Sequence, residues 1–141
     1  MDASFTLAFD GIQHNVRSSR ILGLERLDTQ VGPIKVKVIE PLEKLSVELS
    51  ENDSDITAKL EFSKRFDPMQ EPNMTLFNGP RKIMDTCRLT QHGSWSGEIK
   101  IKDQVIKISP QEFVGTRDRS WGVRPVGAGD SPVSYTHLRA H

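Results

Sequence analysis

Trp95-Ser96-Gly97-Glu98-Ile99-Lys100-Ile101-Lys102-Asp103-Gln104-Val105-Ile106-Lys107-Ile108 decides the fold class. Isoleucines recur at every second position on both sides of Asp103-Gln104. That period is the mark of a strand, because successive side chains leave a strand on opposite faces. A two-residue turn at Asp103-Gln104 pairs Ile101 with Ile106 and Ile99 with Ile108 on one face. Lys100 then opposes Lys107 on the other face, which must be solvated because like charges across a ladder repel. Gly93, Trp95 and Gly97 share the isoleucine face. Glycines beside a large indole give it room to lie over the strand, so Trp95 reads as a core or cavity-wall residue.

The same period extends upstream. Phe5, Leu7 and Phe9 alternate, and Asp10-Gly11 turns the chain into Ile12–Val16. Gly32-Pro33 opens Ile34-Lys35-Val36-Lys37-Val38, which Glu40-Pro41 ends. Leu45, Val47 and Leu49 alternate, Glu51-Asn52-Asp53-Ser54 supplies a turn, and Ile56, Ala58, Leu60 and Phe62 form an amphipathic strand. No window shows a helical period. Short strands at this spacing indicate a sandwich or barrel. Phe66 to Pro80 breaks the pattern with three prolines, Asn73, Asn78 and Gly79, and reads as a long irregular loop. Its Met69, Met74, Leu76 and Phe77 either pack on one another or form a lid over a cavity.

Gly115-Thr116-Arg117-Asp118-Arg119-Ser120-Trp121-Gly122-Val123-Arg124-Pro125 breaks the binary pattern in another way. As a strand, one face carries Arg117, Arg119 and Trp121, and the other carries Thr116, Asp118 and Ser120. Neither is the aliphatic stripe of a core strand. Such breaks mark functional or strained sites. Two readings stand. In one, the block is an Arg–Asp network under a packed indole that fixes a sheet corner. In the other, Arg117, Asp118, Arg119 and Trp121 bind a ligand together with Trp95 and Asp85. Asp118 is then the acid/base candidate or a polar anchor. Arginine beside a carboxyl favours the ionised form, so anchoring a ligand carboxylate through Arg is easier chemistry than general acid catalysis by Asp118. Asp85 is included because it lies in the apolar run from Met84 to Cys87, whereas Asp67 and Glu71 read as solvated charges.

Composition narrows the classes. Lys plus Arg equals Asp plus Glu at 19 each, which gives no electrostatic footprint for nucleic acid. No apolar run is long enough to span a bilayer as a helix. No signal-peptide layout is present, and the location reads as cytoplasmic. Cys87 is the one cysteine and reads as a small buried hydrophobe. His92 and Asp85 are too sparse for a metal site, and no phosphate-binding loop appears, so neither metal nor organic cofactor is expected. The stretch Val133-Ser134-Tyr135-Thr136-His137-Leu138-Arg139-Ala140-His141 resembles the translation of a sequencing adapter. The expected division is therefore 1–132 as one incomplete β domain and 133–141 as an artefact tail.

Three stretches carry a resemblance: Val31 to Leu42, Asp85 to Gly97, and Gly115 to Gly127, with Asp118-x-x-Trp121-Gly122 as its signature. They resemble the lipocalin-like proteins of the AttH and carotenoid-hydratase type, and most closely an uncharacterised bacterial branch of that group. The resemblance implies an all-β, antiparallel calycin-type barrel or half-barrel, here truncated. A downstream half of the same chain would be its partner. It implies an apolar small molecule as ligand, of polyene, terpenoid, steroid or fatty-acyl type, handled without metal or cofactor. This chain has Arg117-Asp118-Arg119-Ser120 where the hydratases tend to have histidine or other residues. Catalysis, and the alternative of a purely structural β domain, both stay open at this point.

Overall fold

The computed structural model describes residues 1–124. The 133–141 tail and Gly127-Ala128-Gly129 lie outside the described residues. The protein is all-β and antiparallel, with no helix among the described residues. The strands are β1 (Asp2–Phe9), β2 (Ile12–Ser19), β3 (Gln30–Val31), β4 (Ile34–Glu40), β5 (Lys44–Leu49) and β6 (Ile56–Lys64), followed by β7 (Met69–Gln70), β8 (Met74–Asn78), β9 (Arg81–Ile101), β10 (Gln104–Ile108) and β11 (Val114–Val123). β1 and β2 form a separate two-stranded sheet. The large sheet runs β10-β9-β6-β5-β4-β3, and β7, β8 and β11 also pair with β9. Its end strands β10 and β3 do not pair with each other among the described residues, so the sheet is an open half-barrel. The chain divides into two compact units, 1–69 with 90–117 and 70–89 with 118 onward.

In the first unit the turns follow local chemistry. Asp10 and Gly11 take φ of 49° and 72°, a conformation that Asp tolerates and Gly adopts freely, and they close β1 onto β2. The isoleucine hairpin forms, but its register differs from the expected one. The turn is Lys102-Asp103, with Lys102 at φ 52°. Ile99 faces Ile106, and Lys107 faces Glu98 rather than Lys100. A slip of two keeps every side chain on its face. It replaces a lysine–lysine repulsion with the Lys107–Glu98 ion pair.

Cross-strand register builds the inner face of this sheet in rows. One row is Ile34–Leu49–Ala58–Ile99, and the next is Val36–Val47–Leu60–Gly97. A third is Val38–Leu45–Phe62–Trp95. The first row is buried throughout. Val16 of β2 joins its cluster with Ile56, Ile101 and Ile108, and Ala3, Phe5, Leu7 and Phe9 of β1 pack against it. The β1–β2 hairpin is thus the cover of one end of the inner face.

The second unit corrects the loop expected over Phe66–Pro80. Met74–Asn78 is a strand, with Met74 opposite Thr86, Thr75 opposite Asp85 and Leu76 opposite Met84. Pro72 and Pro80 flank it and Pro68 precedes β7, so no proline removes a ladder hydrogen bond. A register shift between Leu76 and Phe77 absorbs the irregularity. On the other side of β9, Gly122 at φ 130° lets β11 close in: a Cβ there would stand 2.0 Å from the Asp85 carbonyl oxygen.

Candidate functional site

Sequence reasoning named Arg117, Asp118, Arg119, Trp121, Trp95 and Asp85, of which the first unit holds Trp95 and Arg117 and the second holds Asp85, Asp118, Arg119 and Trp121. In the second unit, Asp118 is half-exposed and its guanidinium partner is Arg88 at 3.4 Å, not one of the arginines flanking it in sequence. Arg88 also reaches Glu71 at 3.8 Å, and its carbonyl accepts the Glu71 N–H at 3.0 Å. Arg119 stands over the Trp121 ring, 5.8 Å from its centroid, and Arg124 donates to Ser120 Oγ. Trp121 is 45% exposed, so it does not shield Asp118 from water as a packed indole would. Asp85 accepts from Lys82 Nζ at 2.8 Å and Thr75 Oγ1 at 3.1 Å. The Lys82 hydrogen bond, with help from Thr75, holds its carboxyl below the ordinary value. Cys87 is half-buried rather than buried, with Sγ 3.1 Å from Asn73 Oδ1.

Trp95 is the candidate that the first unit places on the inner face. Its indole meets the Phe62 ring edge-to-face, with centroids 5.3 Å apart. The glycine that makes room for the indole is Gly115, where a Cβ would stand 2.2 Å from Trp95 Nε1. Gly93, expected to serve Trp95, instead accommodates Phe62, whose Cζ would be 2.3 Å from an added Cβ. Arg117 belongs to this unit and is half-buried.

Two of the three inner-face rows escape full cover. Val36 and Val38 are exposed, and Leu45, Val47, Leu60 and Trp95 are half-buried. They form a continuous apolar floor across β4, β5, β6 and β9. Two polar groups lie beyond its Phe62–Trp95 edge. Lys64 stands two positions from Phe62, held by Glu43 and Asp67. Hydrogen bonds to Glu43 and then Asp67 raise the pKa of its ammonium. Gln91, four positions from Trp95 on β9 and so on the same face, is 1% exposed. Its Nε2 donates to the Leu42 and Phe66 carbonyls at 2.8 and 3.1 Å. Its buried Oε1 has no donor among the described residues. The sequence carried this floor in the alternation of Val36, Val38, Leu45, Val47 and Leu60. What it lacked was the register that sets those residues side by side.

Two open depressions of the first unit mix polar and apolar lining. One of about 690 Å³ lies between Asn15, Arg17, Ser50, Glu51, Asn52 and Asp53. Another of about 510 Å³ is lined by Ser46, Glu48, Lys59, Glu61 and Ser96, with Val47, Leu60 and Gly97. None of the sequence-named candidates lines either.

The fold and this floor describe an antiparallel β protein with an incompletely covered inner face. Over residues 1–139 the chain matches the family described as a family of unknown function, DUF8625, and it belongs to that family. No curated protein and no solved structure matches it.

Proposed function

We propose that this protein binds an apolar small molecule on the inner face of the first unit. The carrying observation is that the β1–β2 hairpin covers one end of that face and leaves the Val36–Val47–Leu60 and Val38–Leu45–Trp95 surface partly open. Apolar area left in contact with water gains roughly 25 cal/mol per Å² when a ligand covers it. An elongated molecule of polyene, terpenoid, steroid or fatty-acyl type matches a floor that runs across four strands. Small half-open barrels hold such ligands through an apolar lining and a few placed polar groups. Gln91 Oε1 is a buried acceptor without a donor among the described residues, so a ligand with one hydroxyl or other donor at its end is favoured. The resemblance to lipocalin-like proteins supports the same reading.

The test is equilibrium binding of a fluorescent polyene fatty acid to the full chain and two variants. Val38→Glu places a charge on the floor at a position that is already exposed. Val105→Glu does the same on the opposite face, where Val105 faces Lys100. Saturable binding that Val38→Glu abolishes and Val105→Glu spares supports the proposal. Absence of saturable binding, or equal effects of the two variants, overturns it.

A second reading has its own observation. Arg88 ties Asp118 of β11 and Glu71 to β9 through exposed ion pairs. On that reading the Arg117–Trp121 block is a surface network that joins strands, and Asp118 has no chemical role.

A further inference from the structure

Past the Phe62–Trp95 row the inner face of the first unit turns polar. The next register pair on that face is Lys64 opposite Gly93. Gly93 contributes no side chain there, and Gln91 follows it on the same face of β9. The Gln91 amide is wedged between two segments. Its Nε2 donates to the Leu42 carbonyl of the β4–β5 turn at 2.8 Å and to the Phe66 carbonyl beyond β6 at 3.1 Å. Those two carbonyls fix which end of the amide is nitrogen, because a carbonyl can only accept. Oε1 is therefore an acceptor held in place, in a side chain 1% exposed, and no donor among the described residues reaches it. A buried acceptor left unpaired costs free energy, so the site favours whatever brings it a donor.

The charge beside it decides what kind of donor. Lys64 is half-buried, and two carboxylates share its ammonium: Glu43 and, at 2.9 Å, Asp67. The cluster is therefore net negative. A ligand carboxylate would compete with both acids for one ammonium and meet their charge. The next cation along the chain, Arg65, is exposed, where water screens it more than it screens Lys64. An ammonium at the ligand's end would be matched in charge. It would have to bury its several N–H donors against a single neutral acceptor, which is costly. An uncharged hydroxyl brings one donor and no charge.

We infer that Gln91 is the specificity-determining residue of the inner face and selects a long-chain alcohol over the corresponding acid. The hydroxyl donates to Gln91 Oε1, and Glu43 and Asp67 disfavour a carboxylate in its place. The inference rests on the reading of the inner face as an apolar ligand site and extends it to the chemistry of the ligand's end. A site built to hydrogen-bond a hydroxyl rejects the analogue without it more strongly than an apolar wall rejects a change of size. The Leu42 turn and the Phe66 segment shut Oε1 from water, and their own side chains are exposed, so the ligand's end enters by parting them.

The experiment is a fluorescence titration of the full chain with a conjugated-tetraene fatty alcohol, its methyl ether and the acid of the same chain length. The alcohol should bind about tenfold more tightly than the ether, which lacks only the donor. The acid should bind through its chain, and also more weakly than the alcohol. Gln91→Met should bring alcohol and ether to within about twofold of each other. Asp67→Asn, at a side chain 88% exposed, should strengthen acid binding about threefold and leave the ratio of alcohol to ether unchanged. Should Gln91→Met fail to fold, the ligand series on the parent chain decides alone. Equal binding of alcohol and ether, acid binding tighter than alcohol, or acid binding unmoved by Asp67→Asn overturns the inference and leaves the apolar floor standing. Absence of saturable binding by every probe overturns both.

Discussion

The two units use similar residues to different ends. In the first, aliphatics from adjacent strands stack in rows and a hairpin covers them. Leu49, Ile56 and Phe62 are there shielded almost completely from water. In the second, Met74, Leu76, Phe77, Trp121 and Val123 are all exposed, and the side-chain bonds link half-exposed charges: Arg88 with Asp118 and Glu71, and Lys82 with Asp85. The difference shows where stability resides. Buried rows contribute through area and packing, whereas exposed ion pairs contribute little each. A motif dense in charge can therefore attract notice in sequence and still matter less to the fold than a plain alternation of valine and leucine.

The comparison is broken most severely at Phe62. Phe62→Ala removes a fully buried ring and its edge contact with Trp95, and should cost about 3–5 kcal/mol. Phe77→Ala, at an exposed site, should cost a small fraction of that; urea denaturation of both variants measures the difference. Equal losses would refute the assignment of stability to the first unit.

Gly93→Ala comes next. Its Cβ would stand 2.4 Å from the Ser63 carbonyl oxygen as well as against Phe62, so backbone must move. Overpacking of this kind costs roughly 1–3 kcal/mol, read in the same denaturation experiment. An unchanged midpoint would show that Phe62 can shift aside.

Asp118→Asn is expected to do little to stability. The pair with Arg88 is half-exposed, and exposed pairs are typically worth under about 1 kcal/mol. A large drop in melting temperature would restore the buried-network reading of the block.

The smallest effect concerns pH. A lysine hydrogen bond holds each of two carboxyls below its ordinary value: Glu98 through Lys107 in the first unit and Asp85 through Lys82 in the second. A carboxyl that titrates lower when folded stabilises the fold above its unfolded pKa and loses that contribution as pH falls through its folded pKa. Lys107→Met and Lys82→Met should each raise the partner carboxyl toward its ordinary value, as followed by carboxyl-carbon NMR titration. An unshifted Asp85 in Lys82→Met would leave Thr75 as its main stabiliser.

How much of this was legible in the sequence depends on how local each cause is. Asp10-Gly11 and Gly32-Pro33 place their turns correctly, because turn chemistry is carried by the residues themselves. The Trp95–Ile108 hairpin was legible in its faces and not in its register. Asp103-Gln104 competes with Lys102-Asp103 for the turn, and the choice favours Glu98 opposite Lys107. β8 was hidden because the flanking Pro72 and Pro80, with Asn73 and Asn78, read as a loop, although its partner is the adjoining start of the 21-residue β9, reached through the turn at Gly79-Pro80. Asp118 was expected to pair with its neighbours in sequence. Residues adjacent along a strand point to opposite faces, so a partner across the ladder, Arg88, took that place.

The most direct test of the central claim follows the two tryptophans separately. Trp95 lies at the edge of the apolar floor and Trp121 in the second unit, so the Trp121→Phe chain reports on Trp95 alone. Titrating that chain with a polyene fatty acid should quench its fluorescence saturably, with the same midpoint as in the parent protein. A signal present in the parent and lost in Trp121→Phe would place the ligand on the second unit and contradict the account.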